Sequence, residues 1–217
     1  MTEIEVKSME GINLLKQGDN RGAYRVFVQA YNEMKFDIAK LKDVTHFEEV
    51  GVAFTSLLAF NQIDDIDIQQ RVASIAYLFL SKAISQAGLI GKLFVEIETI
   101  YRYRILLIEN FGKALSYTAM EALNIDGGVF GAGMAHAEAS DALGAMQYHD
   151  LKQCPTWIER DSFLSNMKNA FERSMSGNNP LGIKKSPMEL FEQGQNHHTR
   201  MLEYLENKVL KNEDINF

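Results

Sequence analysis

Two arginines and two tyrosines fall in four consecutive residues, Tyr101-Arg102-Tyr103-Arg104, of a chain that is acidic as a whole. A guanidinium presents a planar fork of N–H donors that matches a carboxylate or a phosphate, and a neighbouring tyrosine adds an apolar face ending in a hydroxyl. Residue types of this kind also dominate the energetics of protein interfaces. Tyr101, Arg102, Tyr103 and Arg104 are therefore the candidate binding residues, an anchor for an anionic group on a partner. The competing use is internal: the tyrosines pack, and the arginines pair with Glu96, Glu98 or Glu109.

The histidines and carboxylates offer less. His136-Ala137-Glu138 has the His-x-Glu spacing of zinc deaminases, but that chemistry needs a Pro-Cys-x-x-Cys downstream to hold the metal. Here the order is Cys154-Pro155, and Cys154 is the only cysteine. A metal site drawn from His136, Glu138, Asp141, His149 and Asp150 meets a spacing limit, because residues on one helix must be three or four apart to share a face. Glu138 and Asp141 meet it; His136 and Glu138 do not. The segment Asn124-Ile125-Asp126-Gly127 resembles the middle of a calcium loop, yet Ala122 stands where that loop needs a carboxylate. Asp64, Asp65 and Asp67 are turn and capping residues by type. In His197-His198, His198 lies on an apolar helical stripe, which predicts a half-buried ring bonded to a neighbouring helix, and His197 points toward solvent. No nucleophile–base pair is visible, Cys154 has no base beside it, and Gly131-Ala132-Gly133 lacks the strand and final glycine of a dinucleotide loop. No catalytic residue, metal or cofactor is assigned.

Composition narrows the classes. Hydrophobic residues make up 46% of the 217, enough for a core, and only three are proline, which suits long helices. Lys and Arg total 22 against 29 Asp and Glu, a net charge of -7 that on average repels phosphate backbones. No basic run suits an anionic lipid surface, no signal peptide precedes the first helix, and no stretch reaches the ~20 apolar residues of a membrane span. The expected location is the cytoplasm, with neither nucleic acid nor membrane as partner.

The elements follow from periodicity and caps. Ile4, Met9, Ile12 and Leu15 recur at helical spacing until Gly18-Asp19-Asn20, where Gly18 suits a left-handed helix end and Asp19 or Asn20 can cap the next helix. That helix carries Ala23, Val26, Phe27, Ala30, Tyr31 and Met34, and the short connection forces the two to fold back antiparallel. Gly11, Gly18, Asp19, Ala23, Phe27 and Ala30 resemble the small and aromatic positions of a tetratricopeptide repeat, one good copy over about 9–34. Ala76, Leu80 and Ala83 repeat the spacing of Ala23, Phe27 and Ala30. Their preceding helix is 47–60, with Val50, Gly51, Phe54, Leu57 and Leu58 inward. The 61–67 connection is longer than the family's turn, and Asp67 with Gln70 forms a capping box.

Beyond this, Phe94, Ile97, Ile100, Arg104 and Ile108 fit a helix, although Val95, Ile97, Thr99, Tyr101, Tyr103 and Ile105 also alternate as a strand would. Helix is favoured because no hairpin partner exists. A break at 124–128 precedes a helix rich in alanine and glycine. Thr156 with Glu159 is expected to cap a helix carrying Trp157, Phe163, Leu164, Met167 and Phe171. Ser176–Pro180 is a loop, Ser186-Pro187-Met188-Glu189 opens the last helix, and 211–217 is its frayed end. The expected fold is all-α: eight or nine helices stacked as antiparallel hairpins in one 1–217 domain, with N-terminal hairpins over 1–124 and C-terminal helices over 129–212 packed on them.

The tetratricopeptide resemblance implies a protein-protein interaction module that holds a peptide or partner helix in its groove. Two alternatives stand beside it. One is a helical enzyme or a metal- or small-ligand-binding protein using His136, Glu138 and His149. The other is a homo-oligomer packed through the alanine-glycine helix and the Met-rich final helix.

Overall fold

A computed structural model of the protein describes residues 3–19, 21–23, 25–27, 29–30, 47–60, 65–89, 94–128, 131–175 and 185–210. Among them every regular element is a helix. In order these are α1 (Glu3–Lys16), α2 (the described positions of 21–30), α3 (Phe47–Phe60), α4 (Ile66–Leu89) and α5 (Phe94–Leu123). They continue as α6 (Gly131–Lys152), α7 (Pro155–Arg160), α8 (Ser162–Met175), α9 (Pro187–Leu205) and a π-helical turn (Glu206–Leu210). The all-helical expectation holds. Tyr31, Met34, the connection at 61–64, the loop at 176–180 and the end at 211–217 lie outside the described residues, as do the side chains of Ile4, Leu57, Phe94, Val95 and Val209. No helix among the described residues is long and apolar enough to cross a membrane.

The chain forms two compact units, one of residues 1–90 with 202–217 and one of 91–201. This grouping places α5 with α6, and not with the N-terminal hairpins.

In the first unit the α1–α2 corner is built as its residues dictate. Gly18 sits at φ +82°, the Asp19 N–H reaches the Leu14 carbonyl at 2.9 Å, and the Gly18 N–H reaches that of Leu15 at 3.0 Å. These two bonds close the Schellman motif that ends many helices. Asp19 then caps α2 by accepting the Gly22 N–H at 2.9 Å. A Cβ on Gly11 would lie 2.2 Å from the Phe27 ring, so Phe27 packs onto its own hairpin through the space a side chain would fill. The second hairpin repeats the device: a Cβ on Gly51 of α3 would lie 2.9 Å from Leu80 of α4. Every residue of α4 from Val72 to Ser81 is buried, the pattern of a helix enclosed on all sides. The cap of α4 is Asp65, which accepts the Asp67 and Ile68 N–H groups at 2.9 and 3.3 Å, and not the expected Asp67 with Gln70.

In the second unit α5 is helical throughout 94–123 apart from Phe111 (φ -126°, ψ 21°), where two helices join across a kink. It ends at Asn124 (φ 53°), with the Ile125 N–H bonded to Met120 O at 2.9 Å, the same motif with asparagine in place of glycine. Ala135, Ala139, Ala142 and Ala145 of α6 are buried. At Gly194 of α9 a Cβ would stand 2.1 Å from the Ala145 carbonyl oxygen, so α6 and α9 touch backbone to backbone. The expected helix through Trp157 and Phe171 is broken at Asp161. That carboxylate accepts the Phe163 and Leu164 N–H groups at 3.0 and 3.4 Å and so starts α8. Nor does Thr156 pair with Glu159 as expected. Cys154 holds the N-cap position of α7 without a side-chain bond, and Thr156 turns to Glu98. The Ser186–Glu189 box is complete, with the Ser186 N–H donating to Glu189 Oε2 at 2.6 Å and the Glu189 N–H to Ser186 Oγ at 3.2 Å.

Candidate functional site

Three helices of the second unit converge on one buried polar cluster. Helix α5 supplies Tyr101 and Arg104, three residues apart on one face; α6 supplies His149 and Asp150; α9 supplies His198. Arg104 is 1% exposed and grips Asp150, itself 1% exposed, with two parallel bonds: Nε to Oδ2 at 2.7 Å and Nη2 to Oδ1 at 2.6 Å. Its third nitrogen, Nη1, lies 3.3 Å from His198 Nε2. A guanidinium only donates, so His198 Nε2 is the acceptor and the neutral ring carries its proton on Nδ1.

Charge states follow from these contacts. Burial opposes ionisation of Asp150, but the Arg104 charge, the hydrogen bonds from Arg104 and His149, and the nearby His198 together hold its carboxyl below the usual aspartate range. Burial first, and the Arg104 charge second, push His198 down to about 3, so it is neutral at physiological pH. Burial raises Tyr101 above the ordinary tyrosine value. Because Asp150 is an ionised acceptor, the His149 Nδ1 that lies 3.0 Å from its Oδ1 must be the donor. That fixes the tautomer, in which Nε2 is the acceptor.

An open cleft adjoins this cluster. It encloses about 590 Å³ and is lined by Lys152, Gln153, Ser186, Pro187, Met188 and Phe191. Phe191 joins cleft and cluster, since its ring centroid lies 4.9 Å from that of His149. Lys152 stands three residues beyond His149, on the same face of α6. Behind the wall, Tyr148 packs with Leu190, Ala145, Phe171 and Phe191, and its buried hydroxyl has no hydrogen-bond partner among the described residues.

A second polar cluster braces α5 against α7 and α8. Glu98, wholly buried, accepts the Thr156 hydroxyl and the Thr156 N–H at 3.4 Å, and its backbone oxygen lies 3.7 Å from Cys154 Sγ. Burial, with the Asp150 and Glu98 charges adding to it, raises the Cys154 thiol well above the ordinary range, so it is a protonated core residue and no nucleophile. Arg102 bonds Asp161 Oδ2 at 2.7 Å and lies 4.3 Å over the Trp157 ring, with 31% of its side chain exposed.

The quartet thus divides. Arg104 and Tyr101 face the buried cluster, and Arg102 and Tyr103 are partly exposed. The arginines reach Asp150 and Asp161 on other elements, where the sequence alone suggested Glu96, Glu98 or Glu109 on their own helix. Glu109 instead accepts Gln147 Nε2 at 3.1 Å. His136, Glu138 and His149 are not brought together. Thirteen residues of continuous helix separate the two histidines by ~20 Å, His136 is bonded to Ser116 Oγ at 2.7 Å, and Glu138 is exposed. His197, expected toward solvent, is half-buried and bonded to Gln193 at 2.9 Å. Among the described residues no three His, Cys, Asp or Glu side chains gather as metal ligands would. The pairing of His149, Asp150 and His198 with Arg104 has no local sequence signal, because its members come from three helices.

Comparison with family models, with curated proteins and with solved structures gives no match for this chain.

Proposed function

We propose that the second unit binds a small ligand in the cleft of Lys152, Met188 and Phe191, with His149 as the hydrogen-bond acceptor or proton acceptor beside it. One observation carries this reading: a fully buried Arg104–Asp150 pair orients His149 through Nδ1 behind a cleft wall. Buried ion pairs are a poor route to stability, since well-packed apolar residues of the same volume do as well or better. Oriented ones of this kind fit a site, where an Asp sets the tautomer and direction of a working histidine. The cleft volume falls within the ~300–1,000 Å³ of small-molecule sites. Of the residues expected to serve a helical enzyme or ligand-binding protein, His149 stays and His136 and Glu138 drop out.

Saturation-transfer NMR with a fragment library tests this, with Met188→Glu as the counter-screen. Met188 is 65% exposed, so its replacement leaves the fold intact. Fragments that bind the natural chain and are lost in M188E support the reading. Fragments indifferent to M188E, or no binding fragment, refute it.

A second reading keeps the interaction module. The packing of Phe27 on Gly11 and of Leu80 on Gly51 supports tetratricopeptide-like hairpins in α1–α4, and the stacked, partly exposed Arg102 is a fit anchor for a partner's carboxylate. Its test is Arg102→Glu alone, because a glutamate at 104 would face Asp150 in the core. Unchanged capture of an identified partner by R102E removes the anchor.

A further inference from the structure

We infer that the cleft selects an amphiphilic anion, a small organic acid with an apolar body, and that Lys152 is the group that reads its charge. This rests on the small-ligand reading above.

The lining is apolar on the α9 side, where Pro187, Met188 and Phe191 stand in succession, and polar on the α6 side. Lys152 is the one ionisable residue among the described lining residues. Its nearest carboxylate is Glu172, 4.0 Å away at the outer limit of an ion pair, and Glu172 also lies 3.8 Å from Lys168. One carboxylate between two ammoniums leaves an excess positive charge. Lys185, on the residue before Ser186, adds a further ammonium, bonded to the neutral Gln193 side chain. On α9 Glu189 accepts the Ser186 N–H, and Glu192, beside Phe191, is exposed and is not a lining residue of the cleft. A ligand with an apolar body covers Met188 and Phe191, and an acid group at its end meets Lys152 at the mouth. The Lys152 ammonium lies over the Tyr148 ring, with Nζ 5.6 Å from the centroid, a contact that limits its rotamers. The end of α9 adds no anion site of its own, since Ser186 and Glu189 already cap it.

The test compares 2-naphthoate with 2-naphthylmethanol, which share a ring system and differ in charge, by isothermal titration against the full chain at low salt. Lys152→Met keeps the apolar stem and removes the ammonium. The expected result is one site, with naphthoate bound about five- to tenfold more tightly than the alcohol, and K152M abolishing that difference by weakening the acid alone. Such a factor is what one partly exposed charge contact provides, about 1–1.4 kcal/mol. Equal binding of the two probes, unchanged in K152M, overturns the anion inference and leaves the cleft as a neutral-ligand site. Binding of neither overturns both.

Discussion

Replacing Asp150 with asparagine removes the carboxylate that the Arg104 guanidinium, 1% exposed, grips with two of its nitrogens. The loss is not that of one surface ion pair. Two charge-assisted bonds at 2.6 and 2.7 Å go, and the ion that loses them stays buried. Removing one partner of a buried pair costs about 3–5 kcal/mol, and D150N belongs in that range. The companion variant, Arg104→Met with Asp150→Leu, removes both charges at similar volume and is expected to cost less than D150N, because it strands no buried charge and loses only the hydrogen bonds to His149 and His198. The assay is urea denaturation followed by the fluorescence of Trp157, the only tryptophan, which lies in the second unit. With an m-value of ~2 kcal/mol per molar, D150N lowers the midpoint by ~2 M. A loss below about 1 kcal/mol in D150N, or a double variant as unstable as the single one, refutes the claim that this pair is dry and mutually dependent.

Other outcomes follow from the same contacts. His198 has a folded pKa of about 3 against an unfolded value of 6.5, so the unfolded state binds the extra proton between them. Stability therefore falls as pH drops through that window, by ~1.4 kcal/mol per unit, or ~2 kcal/mol between pH 6.5 and 5. His198→Asn removes that part of the slope, which denaturation at the two pH values measures. For Asp150 the folded pKa is depressed, so its contribution is complete at neutral pH and is lost only as pH falls below the ordinary aspartate value toward the lower folded one. Two glycines on helices should respond oppositely to alanine. Gly194→Ala sets a Cβ against the Ala145 backbone and is expected to cost ~1–3 kcal/mol, whereas Gly133→Ala meets nothing within 4 Å and should gain ~0.5–1 kcal/mol; thermal denaturation reads both. Ser186→Ala breaks the reciprocal cap of α9 and should cost about 1 kcal/mol by the same measurement.

Much of the fold was legible because its signals are local. Gly18 and Asp19 fix the first corner through bonds to residues within five positions, and Ser186 with Glu189 fixes the start of α9 in the same way. Gly11 beside Phe27, and Gly51 beside Leu80, mark helix contacts whose small residues the sequence displays. Where two local solutions compete, the sequence misleads. Asp65 was as good a cap as Asp67 and wins at the start of α4. Asp161 outcompetes continuation of the helix because its carboxylate starts α8 and also holds Arg102. The strand-like alternation from Val95 to Ile105 yields to helix because Ile100, Arg104, Leu107 and Ile108, at helical spacing, make one buried face. The site was legible only in part. Arg104 stands out by composition, but its partners lie 46 and 94 residues away, and a search confined to neighbours on one helix cannot reach them. His149 and Asp150, adjacent in sequence, do not share a helix face by spacing. They meet because the His149 ring folds back to its neighbour's carboxylate, which Arg104 holds in place.

The most direct test of the account is the long-range 1H–15N spectrum of the histidine side chains, recorded with and without saturating 2-naphthylmethanol. The neutral probe leaves charge effects aside and reports on the cleft alone. The account predicts that the neutral form of His149 carries its proton on Nδ1, and that its Nε2 resonance moves when the probe fills the cleft while those of His136 stay still. A His149 that carries its proton on Nε2, or a saturated probe that leaves its resonances unmoved, contradicts it.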